Sequence, residues 1–174
     1  LGLLLGTAGI AAVAMQGVAI AEAATQTAVA YAMGRTQGKT PLGNSAIIDH
    51  ADVRRMLGQM RSETFAARAI GLACAVAIDM GRATSAPEWQ ARAALLTPVA
   101  KAYGTDIGNE VAYIGVQVHG GIGFIEETGA AQYSRDVRVT SIYEGTNGIQ
   151  AMDLVACKMM DGGEAAYRLI DEVE

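Results

Sequence analysis

Residues 49–81 read DHADVRRMLGQMRSETFAARAIGLACAVAIDMG. Within them Val53, Met56, Leu57, Met60, Thr64, Ala67, Gly71, Cys74 and Ile78 recur at three- and four-residue steps. That spacing lays one apolar and small-residue stripe along a helix of about seven turns, far longer than a typical strand. Asp49 or Asp52 stands where a side chain can cap the free N–H groups of the first turn, and Gly81 with the 83–86 stretch ends the helix.

The same period spreads outward in both directions. Upstream it predicts a helix from about Leu3 to Gly34, closed by a polar, glycine-containing loop over 35–45. Downstream, Pro87 opens a third helical region, as proline does at a first turn. Thr97-Pro98 interrupts it, which predicts a kink or a fresh start capped by Thr97. The stripe then continues through Val99, Tyr103, Ile107, Val111, Ile114 and Val118 until His119-Gly120-Gly121. A shorter helix is expected over 128–139 and a connector over 140–145. A helix from about Thr146 to Met160 follows, with Ile149, Met152, Ala156 and Met159 inward. After Gly162-Gly163 another helix begins over 164–174. Three long amphipathic helices and one of moderate length predict an all-α, up-and-down four-helix bundle.

Composition agrees. The 174 residues suffice for one domain with a core, and 51% of them are apolar, rich in alanine and glycine and poor in aromatics. A net charge of −5 argues against a nucleic-acid binder. Two cysteines, Cys74 and Cys157, both read as buried free thiols; with only His50 and His119 and no Cys-x-x-Cys, no metal site is expected. Leu1 to Ala21 carry no charge. Their length allows a membrane span, but richness in Ala and Gly and the unbroken run into the polar-dotted 22–35 segment favour a soluble helix. No basic segment of a signal peptide precedes it, and without an initiator Met the chain reads as starting inside a helix of a longer protein.

Five blocks then occur in order: Tyr31-Ala32-Met33-Gly34-Arg35-Thr36-Gln37-Gly38, residues 47–57, Gln117-Val118-His119-Gly120-Gly121-Ile122-Gly123, Arg135-Asp136-Val137-Arg138, and Ile142-Tyr143-Glu144-Gly145-Thr146-Asn147 running on to Gln150. Together they resemble the C-terminal helical domain of the flavin-dependent acyl-CoA dehydrogenases. No phenylalanine stands between Gln37 and Gly38; this, with Thr97-Pro98 and the 148–154 ending, most resembles the larger subgroup with a C-terminal extension, the methylmercaptopropionyl-CoA dehydrogenase-like members. The resemblance implies a bundle domain over 1–162 and the start of a truncated extension over 163–174.

It also implies roles. Glu144 matches the base that removes the α proton of an acyl-CoA thioester, giving the 2,3-enoyl product, and its backbone N–H helps to hold the thioester oxygen. Tyr143 and Gly145 match substrate-pocket residues, and the Thr146 hydroxyl a flavin contact; capping by Thr146 and simple packing of Tyr143 are the alternatives. Gln117, Gly120 and Gly121 match residues at the adenosine-diphosphate part of FAD, often a neighbouring subunit's, and Arg35 matches the arginine on its pyrophosphate. A tight interhelical turn and a solvated helix-end cation are the corresponding alternatives. Implied partners are acyl-CoA, a soluble electron-transfer flavoprotein and further copies of the chain, in the bacterial cytoplasm or the mitochondrial matrix. An acyl-CoA oxidase and a non-catalytic oligomerisation module are the competing readings, and the chain alone is expected to hold no FAD. One departure stands out: Ile10 occupies the place where many relatives carry an arginine beside the CoA chain, and no basic residue precedes Arg35.

Overall fold

The computed structural model describes residues 2–43 and 45–173; Leu1, Asn44 and Glu174, which fall at the start of the uncharged stretch, in the expected loop and at the end of the expected last helix, lie outside them. Three helices of 33, 34 and 33 residues dominate: α1 (Gly2–Gly34), α2 (Ala51–Thr84) and α3 (Pro87–His119). Three short ones follow: α4 (Ala130–Arg138), α5 (Asn147–Asp153) and α6 (Glu164–Asp171). Among the described residues, extended pairing is limited to isolated bridges, Thr36 with Ala46 and Thr40 with Gly43, between α1 and α2.

The core fixes the directions of the helices. Val18, Ala24 and Ala32 of α1 share one cluster with Met56, Met60 and Ala67 of α2 and with Ile107, Val111 and Val118 of α3. Ala14 of α1 shares the other with Cys74 and Ile78 of α2 and with Ala93 and Leu96 of α3. The second half of α1 therefore meets the first half of α2 and the second half of α3, so consecutive helices run up and down as expected. α4 adds Ala130 and Val137 to the buried set, and α6 folds back on the start of α3, with Leu169 on the second cluster and Arg92 paired to Glu172. Gly162 and Gly163, both at positive φ (81° and 79°), make the joint before α6.

Small residues let the long helices approach closely. A Cβ built on Gly17 would sit 2.3 Å from the Gly104 carbonyl oxygen, and one on Gly108 would sit 2.9 Å from the Gly17 Cα. By length and composition the 6–34 part of α1 and all of α2 could each cross a membrane. Instead they are joined midway by the half-exposed pair Glu22–Arg68 at 2.6 Å, whose guanidinium hydrogen bond holds the Glu22 carboxyl below the ordinary carboxylate range.

Several expectations need correction. Neither Asp49 nor Asp52 caps α2. His50 is the N-cap without a side-chain bond, Asp49 belongs to a preceding single 3-10 turn, and Asp52 is taken by Arg55 at 2.8 Å. Pro98 starts no new helix. α3 runs through it, Thr97 Oγ1 donates back to the Ala93 carbonyl at 2.7 Å, and both residues are buried. Packing on both sides of the turn outweighs the roughly 3 kcal/mol that an interior proline costs. Val99 is half-buried and Tyr103 exposed. α3 lies between α1 and α2, so it buries two lines: one through Leu96, Ala100, Ile107 and Val111, the other through Thr97, Lys101, Thr105 and Ala112.

The orientation of α5 is likewise reversed. Ile149, Met152, Ala156 and Met159 are exposed, Ile149 at the edge of a cavity, while Gln150 is buried and Asp153 and Leu154 are half-buried. The helix continues as a π turn over Leu154–Lys158. Cys157 is exposed, not buried; only Cys74 is, its thiol pushed up by burial. A thiol-alkylating reagent should therefore label Cys157 alone in the folded chain and both cysteines in denaturant, read by intact mass; labelling of Cys74 without denaturant would contradict this packing.

Candidate active site

The Glu144 turn grows out of a change of local geometry. After α4 a single 3-10 turn, Val139–Ser141, carries the chain to Ile142. Glu144 then adopts φ 54° and Gly145 φ 83°, two left-handed residues in succession. Gly145 takes that conformation freely; Glu144 takes it at a cost of about 1–3 kcal/mol and so must be held by its surroundings. Thr146 closes the turn as N-cap of α5, accepting the Ile149 N–H at 3.4 Å.

The turn borders a cavity of about 670 Å³. Ile10 of α1, Ile78 of α2, Ala93 of α3 and Ile149 of α5 supply apolar wall; Glu144, Gly145 and Gln150 supply the polar edge. Lys158, paired with Asp153 at 3.5 Å, brings a cation to a cavity whose α1 side has Ile10 and no basic residue. The Glu144 side chain is exposed, with no hydrogen-bond or ion-pair partner among the described residues. Tyr143 is half-buried, its hydroxyl donating to Gln16 Oε1 of α1, and the cavity lining includes Gly145 rather than Tyr143.

The sequence reading passed over what stands behind this turn. Lys101 has 0% exposure, and among the described residues it is the largest fully buried side chain. Its Nζ donates to the Gly145 carbonyl at 2.7 Å and to Asn147 Oδ1 at 2.8 Å. Asn147 Nδ2 in turn donates to Asp106 Oδ1 at 2.7 Å and to Thr105 Oγ1 at 3.0 Å. Gln150 Nε2 donates to the Glu144 carbonyl at 3.1 Å. Burial lowers the Lys101 pKa, with the Asp106 charge acting in the opposite direction. A signal was there to find: Lys101 falls four residues after Thr97 and four before Thr105, on a helix face that carries no other charge.

The other singled-out residues gather at a second place. Gln117 lies in the last turn of α3, about 24 Å beyond Lys101 along the helix, and Gly120 and Gly121 open the 3-10 turn Gly120–Gly123 that follows it. Arg35 follows the last turn of α1, and Tyr31 stacked on His119, with ring centroids 4.3 Å apart, joins the two helix ends. His119 itself is buried, its Nδ1 2.7 Å from the Gly115 carbonyl, so its part there is structural. Gly120 has φ 64°, and a Cβ on Gly120 or Gly121 would meet nothing within 4 Å. Arg35 is exposed, and among the described residues its guanidinium bonds neutral Gln37, at 3.1 Å, and makes no ion pair. An open diglycine corner beside an uncommitted guanidinium suits a diphosphate. Among the described residues no three His, Cys, Asp or Glu side chains converge as a metal site would need.

Fold and turn together define a helical bundle domain that offers a lone carboxylate to an apolar cavity. Residues 8–159 match the family model for the acyl-CoA dehydrogenase C-terminal domain. The chain is 47% identical over 171 residues to 3-methylmercaptopropionyl-CoA dehydrogenase of Ruegeria pomeroyi, covering 93% of this chain and 29% of that protein. It is 33% identical over 141 residues to subunit CarC of the caffeyl-CoA reductase–Etf complex of Acetobacterium woodii, covering 80% and 33%. The structure of butyryl-CoA dehydrogenase from Megasphaera elsdenii superposes with a TM-score of 0.74 at 30% identity, over 87% of this chain and 36% of that one. The chain belongs to the acyl-CoA dehydrogenase family, as its C-terminal helical domain. It spans about a third or less of the length of these curated relatives.

Proposed function

We propose that this chain is the part of an FAD-dependent acyl-CoA dehydrogenase that carries the catalytic base, and that Glu144 is that base. The observation that carries the reading is an unpartnered carboxylate on a left-handed residue at the edge of an apolar cavity. A carboxylate held away from competing donors is free to take a proton, and an apolar cavity suits an acyl chain. The Glu144 N–H would share the charge that grows on the thioester oxygen, the electrostatic help on which α-proton removal depends. Bound flavin would supply the acceptor for the β hydride. Thr146 would contact the flavin, Gly145 and Tyr143 the substrate, and Arg35, Gln117, Gly120 and Gly121 the diphosphate end of the flavin. With about 24 Å of helix between the two groups of residues, those at the diphosphate would serve a neighbouring copy's flavin, which makes the enzyme a homo-oligomer. Residues 1–162 would form the bundle and 163–174 the start of a longer extension. The name of the Acetobacterium woodii relative, part of an Etf complex, favours an electron-transfer flavoprotein as acceptor. The location proposed is the bacterial cytoplasm or the mitochondrial matrix, with no membrane span.

The test uses the full-length protein with its flavin. Anaerobic addition of an acyl-CoA thioester should bleach the flavin band and yield the 2,3-enoyl thioester, and admitting oxygen should restore the band slowly. No bleaching with any acyl-CoA would overturn the reading, and fast reoxidation by oxygen would turn it to the oxidase.

A further inference from the structure

We propose that Lys101 and Gln150 are positioning residues that hold the Glu144–Gly145 turn in its left-handed form from two different helices, and through it set the Glu144 carboxylate. The inference rests on Glu144 being the base. The carbonyls of the two left-handed residues are each captured by a buried side chain: Gly145 O by Lys101 of α3, Glu144 O by Gln150 of α5. Removing either donor releases one side of a backbone conformation that a glutamate does not favour by itself.

The chemistry of the contact is unusual for a structural lysine. A fully buried ammonium normally faces a carboxylate, because its desolvation is otherwise poorly offset. Here no carboxylate lies within ion-pair distance among the described residues, and the ammonium meets a backbone carbonyl and an amide oxygen. Such charge-assisted bonds are shorter and stronger than neutral ones and hold a turn in one geometry. Asn147 extends the hold: the side chain that accepts from Lys101 donates to Asp106 and Thr105, one turn further along α3. The first residue of α5 is thereby bound to the rigid core helix. A methionine at 101 would fill the same space without desolvation, so packing does not explain the lysine.

The experiment compares Lys101→Met, Gln150→Leu and Glu144→Gln in the full-length flavoprotein, with flavin content, kcat, KM and the isotope effect from α-deuterated acyl-CoA. For Lys101→Met, kcat should fall by about tenfold to a hundredfold, with KM within about threefold and flavin retained. The isotope effect on kcat should rise, because a misplaced base slows the α-proton step. A merely structural role would lower the active fraction and leave the isotope effect at its wild-type value, which overturns the proposal. So does a kcat within about threefold of wild type. If Lys101→Met fails to fold, Gln150→Leu carries the same expectation without touching a charge. Turnover that survives Glu144→Gln sinks the base assignment itself; loss of turnover there with unchanged Lys101→Met and Gln150→Leu rates sinks only the positioning role.

Discussion

Glu144→Gln in the full-length flavoprotein should lower acyl-CoA turnover by about 10³-fold while flavin stays bound, because the amide keeps the shape of the side chain and loses its proton affinity. The retained flavin is as informative as the lost rate. The residues proposed for the diphosphate lie at the far end of α3, about 24 Å of helix away, and the Glu144 side chain bonds none of them. KM should stay close to wild type, since an interaction lost only in the transition state leaves substrate binding nearly untouched. Stopped-flow bleaching of the flavin under anaerobic conditions measures the step directly, and a variant that bleaches at the wild-type rate would mean that another group removes the proton.

The second large effect is on stability. Gly17→Val should destabilise the bundle by about 3 kcal/mol, because the new side chain would enter the space of the Gly104 carbonyl, 2.3 Å from its Cβ. Backbone has to move there, and α1 and α3 both carry buried residues on either side of the contact. For a domain of this size that corresponds to a fall in Tm of about 6–12 °C. Gly9→Ala is the control of opposite sign. Nothing lies within 4 Å of its Cβ, so the substitution should stabilise α1 by about 0.5–1 kcal/mol through helix propensity alone. Differential scanning calorimetry on the two variants checks both, and a Gly17→Val protein as stable as Gly9→Ala would refute the close approach of the two helices.

Where the sequence reading misplaced the buried faces of helices, it erred in one way. The α2 stripe from Met56 to Ile78 was legible residue by residue, because one helix face meets one core and period alone identifies it. On α3 the reading chose a single line and placed Tyr103 inside, because a helix wedged between two others buries two lines and their sum has no simple period. On α5 it took the apolar residues as the inward face. The inward position went to Gln150, which the turn needs as a donor, and the apolar residues are left exposed, Ile149 among them at the cavity. Hydrophobic patterning reports that a face is to be covered, but not by what.

The sequence by itself determined the helical class, the order and approximate ends of the long helices, the family and the candidate base, since each of these is written in local period or in a short ordered motif. Only the tertiary structure decided which faces are buried, the separation of the Glu144 turn from the diglycine corner, and the link from Lys101 to the Gly145 carbonyl. That link joins residues 44 apart along the chain. The reason is physical: a lysine reads as a surface residue until three helices close around it, and a buried ammonium can then act only through the groups that packing brings within reach.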